Sequence, residues 1–368
     1  MSNNRPLSGD SEAINRRYLD HLLVEGRIVG AEHPTAQVRI LGRTFDTPVM
    51  TAALSHLKPG IPALAEQAAE TGAWPALNAE GFLDEGEFVW EDPDRGLWRY
   101  ASPTLKIEIV QRSHEEPKPL IWWEADIWTR GEERWFMPTA VEGKHLSVSH
   151  WPYLVAQEHK VVFAINNDYA QGRIANKNNK VGIILRDGKL LWSKTRSTKN
   201  DKAFPCLDLM AFMPDGSFAV FDSNEHSAQE YVDMGIQNML CFGPWLIRDS
   251  VLNEAALNAN RQKTYRNPRT VIGMVENGHY VAIVCEGRTK RSKGEGLAFM
   301  AKLLLDKGCT VGFNLDGGET SFMMFMGVQL NVAGGANNKY GSARRASDIV
   351  AIGTSERVTA QEPAVIRK

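Results

Sequence analysis

Two apolar runs in this sequence stop abruptly in acids and amides. Val311-Gly-Phe-Asn-Leu-Asp-Gly-Gly-Glu-Thr-Ser321 carries Asn314 and Asp316 and then runs straight into Gly317 and Gly318. A carboxylate at the end of a buried strand is held by a rigid element and still meets solvent. The glycines let backbone come close to a ligand and point successive N–H groups at one spot, a concavity suited to anions. The plainer alternative is a turn whose Asp caps its own backbone. Phe163-Ala-Ile-Asn-Asn-Asp-Tyr169 has the same form. The two-residue period of a strand puts Asn166 and Asp168 on one side and Asn167 on the other. Taken singly, such strand-end residues are turn formers.

Cations lie between and after these runs: Arg266, Arg269, Arg288, Lys290, Arg291 and Lys293, then Arg344 and Arg345. Most of such a set is a solvated face. Arg269 and Arg288 each adjoin an apolar strand, and a guanidinium at a fixed site suits bidentate phosphate binding. The whole chain adds no general attraction for polyanions, because 42 Lys and Arg face 44 Asp and Glu. A nucleic-acid partner is therefore not expected, and any anion site must be local.

Other chemistries find little support. The nine histidines have no H-E-x-x-H spacing and the carboxylates form no calcium loop, so neither a metal nor another cofactor is expected. Cys206, Cys241, Cys285 and Cys309 lack C-x-x-C spacing and read as small buried residues. Gly294-x-Gly296 has no dinucleotide-fold context, and neither Ser292 nor Ser321 sits in a G-x-S-x-G elbow. No run reaches the roughly 18 apolar residues of a membrane span. The opening residues are too polar for a signal peptide, which leaves the compartment open.

The elements that must carry these residues are mostly strands. Short β-type runs occur at 88–90, 105–110, 119–128, 160–166, 181–185, 218–221, 270–275, 279–285 and 309–315, with hairpin turns at Asp187-Gly188, Asp215-Gly216 and Asn277-Gly278. Two helices are expected. One follows the capping box Ser227-x-x-Glu230 and stops at Gly235; the other spans 296–307 and stops at Gly308, with Leu297, Met300, Leu303 and Leu304 on its core face. Many strands and few helices predict an α+β fold around a mixed sheet. At 368 residues the chain has room for a second region. Residues 1–85 read as an N-terminal region, with an amphipathic helix through Ile14, Tyr18, Leu19 and Leu22 and then an alanine-rich stretch. Residues 86–368 read as the main domain, which carries the candidate site residues.

The order of motifs over roughly 85–355 resembles the phosphodiester glycosidase family. The runs are AINNDYAQGR, VGIILRDGKLL, CFGPWLI, NPRTVIGM, HYVAIVCEGR, SKGEGLAFMAKLLLDKG, NLDGGETSFMMFMG and RRASDIV. That family includes the uncovering enzyme, N-acetylglucosamine-1-phosphodiester α-N-acetylglucosaminidase, and bacterial relatives often labelled exopolysaccharide biosynthesis proteins. The resemblance implies hydrolysis of a sugar-phosphate or phosphoglycan at the anomeric carbon, without a redox cofactor. It also implies polar roles for Asn166, Asp168, Tyr169, Arg269, Thr270, Gly287, Arg288, Ser292, Asn314, Asp316, Gly317, Gly318, Arg345, Ser347 and Asp348. Three positions depart from the family pattern. Asn167 and Glu319 stand where glycine is usual, and Glu286 where Asp is usual.

The leaving group shapes the expected mechanism. A phosphate monoester, with a second pKa near 6, departs readily as an anion, so stabilising its charge matters more than protonating it. Arg269, Arg288 and the glycine N–H groups would hold the phosphate. Asp316 would act at the anomeric carbon as nucleophile or base, with Glu286 and Asp168 as competing carboxylates. The opposing reading is a non-catalytic carbohydrate- or phosphoglycan-binding protein that keeps the fold. Glu319 separates the two: a carboxylate bound to Arg269 or Arg288 would block ordinary phosphodiesters.

Overall fold

The computed structural model describes residues 38–40, 43–45, 73–75, 77–175, 181–196, 198–334 and 341–360. The amphipathic helix expected around Ile14 to Leu22 lies outside them. The chain divides into two compact units, Met1–Ala52 and Ala53–Lys368. In the first unit, Val38–Ile40 and Arg43–Phe45 form an antiparallel hairpin.

The second unit is built from three sheets of nine, five and four strands. The nine-stranded sheet runs, edge to edge, through Val251–Leu252, Trp245–Arg248, Val311–Asn314, Arg269–Glu276, His279–Cys285, Leu120–Thr129, Leu105–His114, Leu97–Ala101 and Phe88–Asp92. The four-stranded sheet holds Val161–Ile165 between Met323–Phe325 and Val350–Thr354. The five-stranded sheet has Asp208–Phe212, Asn238–Phe242 and Ile184–Arg186 as its inner strands. The α+β class holds. Where a mixed sheet was expected, the ladders among the described strands are all antiparallel, since hairpins such as 269–276 with 279–285 reverse the chain in a few residues.

Alternation explains the packing. On the nine-stranded sheet Trp98, Ile107, Ile109, Trp123 and Ile127 turn to one face and meet Phe163 and Ile165 of the four-stranded sheet and Met210, Phe212 and Leu240 of the five-stranded one. The opposite face is covered by the helix Leu297–Asp306 through Leu297, Met300, Ala301 and Leu304. That helix ends as expected at Gly308, whose φ of +82° suits glycine. The shorter helix Ala228–Asp233 is opened by Ser227 and Glu230 in a complete capping box. Leu97–Ala101, Asp208–Phe212 and Asn238–Phe242 were not expected as strands, and the run at 181–185 yields only Ile184–Arg186, because Gly182 turns the chain at φ +123°. Trp74, Leu77 and Leu83 pack against Phe88 and Ala101, so packing reaches back past the boundary expected near 85. All four cysteines are free and buried. Among the described residues no helix is long and apolar enough to cross a membrane.

Candidate active site

Three strand ends converge on one spot. In the nine-stranded sheet, register pairs Arg269 with Cys285 and Val271 with Asn314, so one strand begins where its two neighbours end. The end of Val161–Ile165 is tied to the same place. Thr270 Oγ1 donates to Asn166 Oδ1 at 2.6 Å, and Asn166 Nδ2 donates to the Asp316 carbonyl at 2.9 Å. Leu315 N–H donates to the Thr270 carbonyl at 3.0 Å. Asn166 and Thr270 are fully buried, so they brace two sheets together rather than face a ligand.

The pocket that results encloses about 260 Å³ and is walled by Asp316, Gly317, Gly318, Glu319, Arg269, Arg288, Arg344, Asn267, Tyr169 and Phe204. Backbone contour demands its glycines. Gly318 sits at φ +71°, and a Cβ there would come 3.1 Å from Arg288 Nη2. A Cβ on Gly317 would come 2.6 Å from the Pro268 carbonyl oxygen. Tyr169 and Arg288, both in the wall, hold φ values of 51° and 59°, a left-handed backbone that side chains adopt at some cost.

The electrostatics divide the charged groups. Arg269 is 1% exposed, and it donates to Gln262 Oε1 at 2.6 Å, the Tyr265 carbonyl at 2.9 Å and the Glu295 carbonyl at 3.3 Å. None of these acceptors is charged. Burial pulls its pKa down to about 10. Arg288 is exposed and donates from Nε to Asn267 Oδ1 at 2.8 Å. Neither arginine forms an ion pair among the described residues. Asp316 is only partly buried as a residue. Desolvation nevertheless pushes its carboxyl above the ordinary range, against the pull of the Thr320 hydroxyl, 2.7 Å away, and the Gly317 N–H.

The other expected carboxylates are committed to partners. Asp168 is fully buried; its Oδ1 lies 2.8 Å from Arg186 Nη2 and its Oδ2 accepts from Cys241 N–H at 2.6 Å. Glu286 is buried outside the pocket wall. It binds Arg291 at 2.9 Å and accepts the Val332 N–H at 2.6 Å, and burial raises its pKa despite the arginine. Ser292 Oγ donates to the Glu286 carbonyl and accepts from Ile121 N–H, which fastens that loop. Asn314 is buried, with Nδ2 donating to the Gly243 carbonyl at 2.8 Å. The strand ends at Ile165, so the period that paired Asn166 with Asp168 stops short of both. Asn167 instead donates to the Asp348 carbonyl at 3.0 Å.

Two positions depart from expectation. Arg345 is exposed and its guanidinium stacks over Trp151 at 5.3 Å, whereas Arg344 enters the pocket wall, 4.8 Å over the Tyr169 ring. In the irregular segment after Gly341, spacing carries no face information, so adjacent arginines could not be told apart. Glu319 faces Arg344, at 3.6 Å, and forms no bond to Arg269 or Arg288. It is also absent from the residues at positive φ, so the backbone does not require glycine there. Phe204 and Asn267 were missed; Asn267 had its signal in the NPRT run, and Phe204 had none.

Residues 159–353 match the family model described as phosphodiester glycosidase. Over 177 residues the chain is 30% identical to the SPbeta prophage-derived uncharacterized protein YomE of Bacillus subtilis (strain 168), which is 48% of this chain and 26% of that protein. The chain thus spans about a quarter of the length of this curated relative. Among solved structures it is similar in fold to the zebrafish N-acetylglucosamine-1-phosphodiester α-N-acetylglucosaminidase catalytic domain auto-inhibited by pro-peptide. That likeness has a TM-score of 0.52 at 18% identity and covers 69% of this chain and 85% of the other.

Proposed function

This chain belongs to the phosphodiester glycosidase family, and we propose that it hydrolyses a sugar-1-phosphodiester at the anomeric carbon, using residues 86–368 as the catalytic domain. The observation that carries this reading is Arg269. A buried guanidinium bonded only to neutral acceptors, in the same wall as Arg288 and two glycines, leaves a positive site that an anion would complete. Asp316 shares that wall and is the candidate for chemistry at the anomeric carbon. Asp168 and Glu286 are already neutralised by Arg186 and Arg291, which argues against either as the reacting carboxylate.

In the proposed reaction the bond from the anomeric carbon to the phosphate oxygen breaks with its electron pair going to that oxygen. Arg269 and Arg288 stabilise the departing phosphate monoester. Water supplies the new hydroxyl on the sugar. Asp316 either takes the water's proton or first forms a covalent ester that water then opens; inversion or retention of the anomeric centre distinguishes these routes. Glu319, held by Arg344, does not compete for the two phosphate arginines, and this favours turnover over a binding-only role. The test is to incubate the purified protein with UDP-sugars and sugar-1-phosphodiesters, N-acetylglucosamine derivatives first, and assay free sugar. Release from at least one substrate is expected. A folded protein that releases none from the whole panel overturns the reading.

A further inference from the structure

Beside the arginine pocket lies a second one of about 210 Å³, and the two share Asp316, Tyr169 and Phe204. Its character is different. Tyr169, Phe204, Pro205 and Phe242 make an apolar wall, with the Phe204 and Phe242 rings 5.3 Å apart and at 88° to each other. The cation in its lining is Arg173, from the helix Ala170–Ala175.

Arg173 is 6% exposed, and its Nε and Nη2 have no hydrogen-bond partner among the described residues. Nη1 is used, donating to the carbonyls of Cys241 and Asp168. Nη2 lies 3.9 Å from Asp168 Oδ2, so the charge of Arg173 has a counter-ion even though two donor groups lack acceptors. Buried donors without acceptors are uncommon, and in the wall of a pocket they mark where a ligand oxygen would bind.

The lining charges fix the kind of oxygen. Here, with Asp168 already paired with Arg186, Asp316 faces one arginine, whereas the neighbouring pocket carries three arginines, Arg269, Arg288 and Arg344, beside Asp316 and Glu319. An anion therefore belongs in the arginine pocket. Aromatic walls with a few directed donors suit a ligand with C–H faces and neutral oxygens. We propose that the pocket walled by Phe204, Pro205 and Phe242 seats the uncharged sugar ring, and that Arg173 selects it by donating to a hydroxyl or amide carbonyl oxygen. The assignment rests on the proposed hydrolysis only for its orientation, which runs sugar, Asp316, phosphate. It excludes acidic sugars as good ligands.

The probes are methyl α-glycosides of glucose, N-acetylglucosamine and glucuronic acid, which carry no phosphate and so report this pocket apart from turnover. Saturation-transfer NMR on the full chain should show ring-proton contacts for at least one neutral glycoside, and the glucuronide should bind about tenfold more weakly or not at all. Arg173→Gln should weaken the bound neutral glycoside by about tenfold, the cost of one charged hydrogen bond, while leaving the affinity for inorganic phosphate unchanged. Should Arg173→Gln fail to fold, Phe204→Ala carries the test, because Phe204 is 36% exposed and its loss removes an aromatic wall without opening the core. It should weaken the same glycoside. If a folded protein that cleaves sugar-1-phosphodiesters binds no neutral glycoside, or prefers the glucuronide, the sugar assignment falls. If glycosides bind as described and no phosphodiester is cleaved, the hydrolysis falls and the sugar pocket stands.

Discussion

At the scale of single residues, Asp316 and Arg269 show how burial and pairing sort the charges around the pocket. Asp348 and Asp168 are both paired with Arg186, whereas Arg269 is held by neutral acceptors and the Asp316 carboxyl is raised by desolvation. A carboxyl raised in the folded state binds its proton more tightly there than in the unfolded chain. Its ionisation therefore costs stability as pH rises past the unfolded value. Asp316→Asn should consequently cut turnover by roughly 10²–10⁴-fold while leaving the melting temperature at neutral pH equal or higher, as measured by hydrolysis assay and thermal scan. The same shift bears on catalysis. A role that needs the carboxylate should fail on the acid side at a pH above the ordinary aspartate range of about 4, seen as the acid limb of the kcat profile. Arg269→Lys keeps charge but loses the planar fork, so inorganic phosphate, which should raise the melting temperature of the parent, should do so much less in the variant.

At the scale of elements, the loop after Val311–Asn314 does its work through backbone shape. Gly318 is at positive φ and faces the Arg288 guanidinium, so Gly318→Ala should cost about 1–2 kcal/mol by denaturant unfolding and displace Arg288, with a larger loss in activity than in stability. Glu319→Gly, one residue on, removes a side chain that the backbone tolerates and that pairs with Arg344. Activity within a few-fold of the parent is expected; a sharp rise in turnover of simple sugar-1-phosphodiesters would mean that Glu319 obstructs the pocket. The strands that carry the site were largely legible, since His279–Cys285 and Val311–Asn314 follow from their apolar runs alone. The strands Asp208–Phe212 and Asn238–Phe242 were not, because each is a five-residue run opened by a polar side chain whose burial depends on partners far along the chain.

At the scale of the whole molecule, a buried ionic network joins the sheets behind the site. Arg186 of the five-stranded sheet bridges Asp168, just past the end of Val161–Ile165, and Asp348, just before Val350–Thr354, and His145 lies 2.9 Å from both Asp348 and Asp187. Burial opposes charge on Asp348, but Arg186 and His145 outweigh it and hold the pKa low. His145 is likewise disfavoured by burial and raised overall by Asp348 and Asp187. A lowered acid loses its contribution as pH falls, and a raised histidine loses its own as pH climbs through the folded value. The network should thus stabilise most between about pH 4 and 6.5. Arg186→Met should remove about 3–5 kcal/mol, measured by urea unfolding, because two buried carboxylates would lose the cation they share and keep only Arg173, 3.9 Å from Asp168, and His145 beside Asp348. The sequence by itself determined the α+β class, the two glycine-stopped helices and a strand that runs into Asp316 and two glycines, since these follow from local periodicity and backbone preference. It also carried the family, through the order of its motifs. Only the tertiary structure decided which charges are spent on one another. Asp168 and Glu286 look as available as Asp316 when read along the chain, and Arg345 as available as Arg344. Partners such as Arg186, Cys241 and Val332 come from distant parts of the chain, and burial is a property of the assembled sheets.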